Sequence, residues 1–325
     1  MVEKLWYTPL FFGKKVIISS LLATKSEHAY SRDNTICVFA QPRGGSTWFS
    51  NLLLSLPRSM KVDEPLSRGM FDPSGKMPPA GIGKIKKLDE LNFYYHQPIP
   101  KGANHQEAEQ FFDDLFRLKY RNPYLFEETS YRSMLNPELL IFKFNQGNLM
   151  LEWLVDKFQF TPIVLLRHPF SVIASQLSFY AFEKVRSASK YEIPEFRFHE
   201  YFDPYQDILA SLKHPEEILA ARWSMNYLPV NQPSKKWLTI HYENVIADPD
   251  SELEKIFTYI GRNQPDEIRE KFYLPAFKNH HDKTHYEEKG SKESWKGNLT
   301  DEQIKRIKRV LLDFGITSYN GEEVK

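Results

Sequence analysis

"FAQPRGGSTWFSNLLLSL", Phe39 to Leu56, opens as a strand and closes as a helix. The turn between them holds two glycines, a serine, a threonine and an arginine. A glycine-rich turn that opens a helix presents unbonded backbone N–H groups and the positive end of the helix dipole, and phosphate suits both. The ATPase loop also needs a lysine directly before Ser or Thr to reach the terminal phosphates. No Gly-Lys-Ser or Gly-Lys-Thr occurs in the chain. The loop is expected to hold a phosphate without belonging to an ATP-splitting site.

Outward from the loop, four short apolar runs read as buried strands: "TICVFAQP" (Thr35–Pro42), "LLIFKF" (Leu139–Phe144), "PIVLLR" (Pro162–Arg167) and "WLTIHY" (Trp237–Tyr242). Helical patterns such as "GNLMLEWLVDKF" separate them, the rhythm of an α/β fold with a parallel sheet covered on both faces. Near the C-terminus Thr300 and Gln303 have the spacing of a capping box. Two excursions interrupt the rhythm. Residues 66–135 are rich in Pro, Gly, Lys and aromatics, and 183–220 include the aromatic run Tyr191–Tyr205. Both are expected to be acceptor-side insertions in a single domain spanning 1–325, with 1–34 as an N-terminal extension.

The chain has 325 residues, 41% hydrophobic, with a net charge of +1, enough for one large core. A near-neutral balance argues against nucleic acid as the main partner. The single cysteine, Cys37, excludes an internal disulfide and points to a reducing, cytoplasmic setting. The apolar run Val16–Ala23 is far short of the roughly 20 residues that a membrane span needs, and no good signal-peptide cleavage site follows. It is expected to pack on the domain, with contact to a membrane surface the lesser alternative and no transmembrane segment.

Two further stretches carry chemistry. In "RHPFSVIAS", Arg167 ends a strand and Ser175 lies eight residues on, within a helix, so a forked guanidinium and a hydroxyl can share one phosphate. In "EKGSKESWKGNLT", Lys289 and Gly290 offer a charge and a bare backbone. Each alone has an ordinary reading, as a strand-end arginine, a helical serine or a solvated loop.

Together the three stretches, in this order, resemble the sulfotransferases that use 3′-phosphoadenosine 5′-phosphosulfate (PAPS). "PRGGSTW" resembles their 5′-phosphosulfate loop, "RHPFSVIAS" their 3′-phosphate motif and "KGSKESWKGNLT" the C-terminal Lys-Gly segment of the cytosolic members. "LTIHYENVIADPDSELEKIFTYIG" is similar to their strand ending in Tyr-Glu. The resemblance implies a P-loop-type three-layer sandwich with a central parallel sheet of about five strands, and PAP as product with no metal. It implies that Arg43, Gly44, Gly45, Ser46 and Thr47 hold the 5′-phosphosulfate and that Trp48 packs on the adenine. Arg167, Ser175, Lys289 and Gly290 then hold the 3′-phosphate, while Glu288 stands where cytosolic members often have arginine.

The base is where this chain departs from the cytosolic members. They carry a histidine shortly after a lysine, 22 residues before the 3′-phosphate arginine. Here the lysine matches Lys143, but the histidine position is Asn145, whose amide is no base. The Golgi carbohydrate sulfotransferases instead carry Glu-Pro 21 residues after the loop arginine, which falls on Glu64-Pro65. The resemblance therefore implies Glu64, Arg43 and Lys143 as catalytic residues, a hydroxyl or amine acceptor, and carbohydrate or another small molecule as its class. His96 and His105 are the reserve bases.

Two other functions compete. A P-loop kinase or phosphotransferase would need the loop lysine and a Mg²⁺-binding acid at a strand end. A non-catalytic PAP-binding protein would not need Glu64, Arg43 and Lys143 together. "NHHDKTH" (Asn279–His285) has no recognised metal-ligand spacing, so no metal is expected there. The oligomeric state cannot be read from the sequence.

Overall fold

The computed structural model describes residues 9–24, 26–67, 85–93, 97–126, 128–179, 182–193, 195, 197–231, 236–272 and 295–319. Five strands form one sheet: β1 (Thr35–Phe39), β2 (Ser59–Asp63), β3 (Leu139–Phe144), β4 (Thr161–Leu166) and β5 (Leu238–His241). Their order is β2-β3-β1-β4-β5, and every pairing is parallel. The α/β sandwich expected from the sequence is the fold found.

The sheet is apolar on both faces because its strands are buried on both. Along β1, Cys37 and Phe39 join one core cluster and Ile36 and Val38 the other; β3 and β4 alternate in the same way. The longer helices are α1 (Pro9–Ala23), α2 (Ser46–Leu53), α3 (Gln106–Phe116), α4 (Leu151–Lys157), α5 (Pro169–Ser178), α6 (Pro215–Tyr227), α7 (Pro249–Tyr259) and α8 (Asp301–Asp313). α2 covers one face with Trp48, Phe49, Leu52 and Leu53, and α3 and α6 fill the other. The capping box at α8 is present, with Thr300 Oγ1 accepting from the Gln303 N–H and Gln303 Oε1 from the Thr300 N–H.

Three features refine the sequence reading. β2 was not among the four expected strands; it carries Lys61 and Asp63 in a five-residue segment and so lacks an apolar run. The excursion 66–135 contains α3, whose Phe111, Phe112 and Phe116 lie fully buried in the main core, and the excursion 183–220 contains the start of the buried α6. These stretches therefore build the core as well as border it. The N-terminal apolar run belongs to a longer helix, α1, which packs through Ile18 and Leu22 and leaves Val16 and Ile17 exposed. Among the described residues, no helix is long and apolar enough to cross a membrane.

Candidate active site

All five strands run the same way, so their carboxyl ends share one edge, where parallel sheets bind ligands. The loop after β1, Glu64, Asn145, Arg167 and Tyr242 all lie at these ends.

The loop's two glycines are needed for different reasons. The Gly44 N–H donates to the Gln41 carbonyl at 2.9 Å, and a Cβ on Gly44 would sit 2.8 Å from that same oxygen. Gly45 has φ +89°, the left-handed region, and its Cβ would approach the Tyr242 ring to 2.7 Å. α2 starts at the next residue with no side-chain cap, so its leading N–H groups are open to an anion. From behind, the Gln176 amide donates to the Pro42 carbonyl at 2.8 Å and the Gln41 amide to the Trp223 carbonyl at 3.1 Å.

Arg43 is itself left-handed, at φ +70°. Its Nε donates to Ser175 Oγ at 2.9 Å, and its guanidinium lies 4.4 Å over the Phe179 ring. Arg167 donates from a terminal nitrogen to the Arg43 carbonyl at 3.0 Å and lies 4.6 Å over the Tyr242 ring. Among the described residues Arg167 Nε is buried without a hydrogen-bond partner, an unusual state for a charged donor and one that an anion would relieve. Burial, with the Arg167 charge second, pulls the His168 imidazole down to about 4, so it is neutral near pH 7. Trp295, from the third stretch, packs 4.7 Å from the Phe170 ring, just past Arg167. The described end of the third stretch thus meets the second, and the open N–H groups of α2 and the Arg167 Nε offer two separate places that fit anionic groups of one ligand.

On the β2 side sits a second cluster. Register pairs Asp63 with Lys143 across β2 and β3. Lys143 is 2% exposed, and its Nζ reaches Asp63 Oδ1 at 2.8 Å, Glu64 Oε1 at 2.9 Å and Thr47 Oγ1 at 3.0 Å. The Thr47 contact is a hydrogen bond, and the two carboxylate contacts are ion pairs. Burial opposes the Lys143 charge, but Glu64 and Asp63 outweigh it and hold the ammonium well above its ordinary value. Burial likewise opposes the Asp63 carboxylate, yet Lys143 and Lys61 keep it below the usual range. Lys61, buried on the same face of β2, also pairs with Glu128 and donates to Asn51 Oδ1 at 2.9 Å.

Glu64 closes this cluster. Its backbone is left-handed, φ +46°, and it precedes Pro65, two conditions that conflict for an ordinary residue. Such strain costs about 1–3 kcal/mol and survives only where its surroundings enforce it. Here the Glu64 N–H donates to the Lys143 carbonyl at 3.1 Å, while Lys143 and the Asn145 amide, at 2.6 Å, both hold Oε1. Asn145 Oδ1 in turn accepts the Ser46 hydroxyl at 2.7 Å.

Of the other expected residues, Trp48 is buried, donates its indole N–H to the Phe272 carbonyl at 2.9 Å and meets the Tyr242 and Phe272 rings edge-on. Lys289, Gly290, Glu288, His96 and Asn279–His285 lie outside the described residues. The reserve base His105 is buried against Phe93 and Phe198, with Nδ1 3.2 Å from Arg197. Burial, then Arg197, lowers its pKa. Asp63 and Lys61 were not foreseen; the signal was their alternation in "SMKVD", which puts both on one face of a strand. Among the described residues no three His, Cys, Asp or Glu side chains gather as a metal site.

The family model described as "Sulfotransferase domain" matches residues 33–313. The chain belongs to the sulfotransferase family. It is accordingly a PAPS-dependent sulfotransferase, in a family that yields PAP as product. Solved structures similar to this sulfotransferase include the sulfotransferase domain of the Synechococcus PCC 7002 olefin synthase. That domain is 18% identical, with 87% of this chain and 96% of that chain covered and a TM-score of 0.43. A mouse sulfotransferase complexed with PAP is 16% identical over 92% of this chain and 91% of its own, with a TM-score of 0.42. The sulfotransferase domain from the curacin biosynthetic pathway is 14% identical over 88% and 99%, with a TM-score of 0.45. A comparison with curated proteins finds no match. Membership rests on the family match.

Proposed function

We propose that this sulfotransferase transfers the sulfuryl group of PAPS to a hydroxyl of a carbohydrate, with Glu64 taking the hydroxyl proton. The observation that carries the proposal is the setting of Glu64. Its side chain is 35% exposed at the strand-end edge, and Oε2 accepts nothing from the described residues. The buried Lys143 lies against its other oxygen. A carboxylate with one anchored oxygen and one open oxygen is well set to accept a proton. The Glu64-Pro65 spacing shared with the carbohydrate enzymes supports a sugar over a phenol or amine. The lone, buried Cys37 is in keeping with a reducing cytoplasm.

The backbone of Gly44, Gly45, Ser46 and Thr47 would hold the 5′-phosphosulfate. Arg167 and Ser175 would hold the 3′-phosphate with Lys289 and Gly290, and Trp48 would border the adenine. PAPS, when bound, supplies the electrophilic sulfur and the leaving group. Arg43 and Lys143 would supply positive charge where the leaving oxygen becomes anionic, as basic clamps do in phosphoryl transfer.

Labelled PAPS, offered with a panel of sugars, phenols and amines, tests the acceptor; label on sugars is expected, and label on phenols or amines alone overturns the carbohydrate assignment. With the acceptor found, Glu64→Gln should cut turnover by about 10²–10⁴, the usual worth of general-base catalysis, with PAP affinity near normal by calorimetry. Normal turnover in Glu64→Gln would sink the base assignment.

A further inference from the structure

Asn145 stands directly after β3, at the position where the cytosolic relatives carry histidine, and it is buried. Both ends of its amide are used. Nδ2 donates to Glu64 Oε1 at 2.6 Å and Oδ1 accepts from Ser46 Oγ at 2.7 Å. The amide cannot be turned over, because an ionised carboxylate only accepts and the flipped Oδ1 would face it with no proton between. Two results follow. The single hydroxyl proton of Ser46 is committed to Asn145, so Ser46 offers an anion its backbone N–H. Among the described residues the Glu64 carboxylate is pinned through Oε1 alone, by Asn145 and Lys143, so its open oxygen has a fixed direction.

Glu64 needs this anchoring. Its left-handed backbone, placed before a proline, would relax if nothing held the side chain, and the carboxylate would turn with it. Lys143 alone is a poor guide to direction, since an ammonium is a point charge with rotatable protons. The planar amide of Asn145 defines a direction, and its far end rests on the first residue of α2.

We infer that Asn145 is the positioning residue of the base: it aims Glu64 Oε2 at the acceptor and ties that aim, through Ser46, to the loop that holds the donor. The inference rests on the Glu64 reading. Asn145 does not touch the reacting atoms; it acts through Glu64.

The test uses the full chain with labelled PAPS and the acceptor that takes label, and compares Asn145→Ala, Asn145→Asp and the double variant Asn145→Ala with Glu64→Gln. Asn145→Ala should lower kcat by roughly 10²-fold, the scale of a misaimed catalytic group, while acceptor KM and PAP affinity stay near normal. Asn145→Asp keeps the size but puts a second carboxylate against Glu64, so it should lose at least as much. In the Glu64→Gln background, Asn145→Ala should add no further loss, because residues acting as one unit are not additive. Melting curves report folding, and Asn145→Ser takes the place of the Ala variant if that one fails to fold. Losses that multiply in the double variant overturn the inference, as does normal kcat in Asn145→Ala. The two readings fail separately. Glu64→Gln with normal turnover removes the base itself, whereas an impaired Glu64→Gln beside a normal Asn145→Ala removes only the positioning role.

Discussion

Arg167 is held before any ligand arrives: one nitrogen on the Arg43 carbonyl, its plane on Tyr242, and Nε buried with no partner among the described residues. A guanidinium fixed in this way has little rotamer freedom left to lose on binding, so its interaction with a phosphate is not offset by ordering. Arg167→Ala should therefore reduce the preference for PAP over AMP by about 2–5 kcal/mol, the range for removing one partner of a buried charge pair. AMP affinity itself should change little, and calorimetry with both nucleotides reads the difference. An unchanged preference would take Arg167 out of the 3′-phosphate site. At this scale much of the candidate site was legible. Arg43, Thr47, Glu64, Lys143, Arg167 and Ser175 were each implied by the resemblance of their motifs to the sulfotransferases, and hydrogen bonds and ion pairs join them into two adjoining clusters. The part played by Asn145 was not legible, because an amide that is no base gives no sign of what it orients.

Among the elements, β2 was the one the sequence concealed. Four strands declared themselves as apolar runs, but "SMKVD" carries charge on one face because that face lies at the active-site end beneath α2. Lys61 and Asp63 are ion-paired with each other and with Glu128 and Lys143 there, which offsets the cost of burial, and a pattern search for apolar runs passes over them. The sign of the pH effect follows from the pairing. The Asp63 carboxylate, though opposed by burial, is held below its ordinary value by Lys143 and Lys61, so its stabilisation is complete above an unfolded value of about 3.9 and fades as pH falls through the depressed one. The raised Lys143 contributes below its ordinary 10.5, and that contribution is lost only on the alkaline side. Asp63→Asn should thus melt below wild type at neutral pH, with a gap that narrows as the buffer is taken below about pH 4. Melting temperatures from neutral pH down into the acid range measure this. A gap that stays constant into strong acid would mean that residue 63 matters for its shape and not for its charge.

Over the whole molecule, α6 links α8 to the loop after β1 and to Arg167. Its Trp223 donates the indole N–H to the Arg167 carbonyl at 3.2 Å, and the Trp223 carbonyl accepts the Gln41 amide ahead of the loop. On its other side α6 packs against α8, where Glu216 meets Arg306 at 2.6 Å and Glu217 meets Arg309 at 2.9 Å. The two carboxylates are equally buried but not equivalent. Glu217 Oε2 also accepts the backbone N–H groups of Lys213 and His214, closing the N-terminus of α6, whereas Glu216 has no capping role. Glu217→Ala should therefore cost about 2 kcal/mol: about 1 for the cap, and a discounted share for the bond to Arg309, which water can re-solvate because it is half exposed. Glu216→Ala, which leaves the cap intact, should cost less. PAP affinity should hold in both, since Trp223 lies nearly two turns beyond them on α6 and keeps its own bonds. Urea titrations of both variants, with calorimetry on the folded proteins, decide the matter. Equal losses would show that the ion pairs to α8, and not the helix cap, set the stability of this junction. A fall in PAP affinity would show that α6 transmits strain along its length to Arg167.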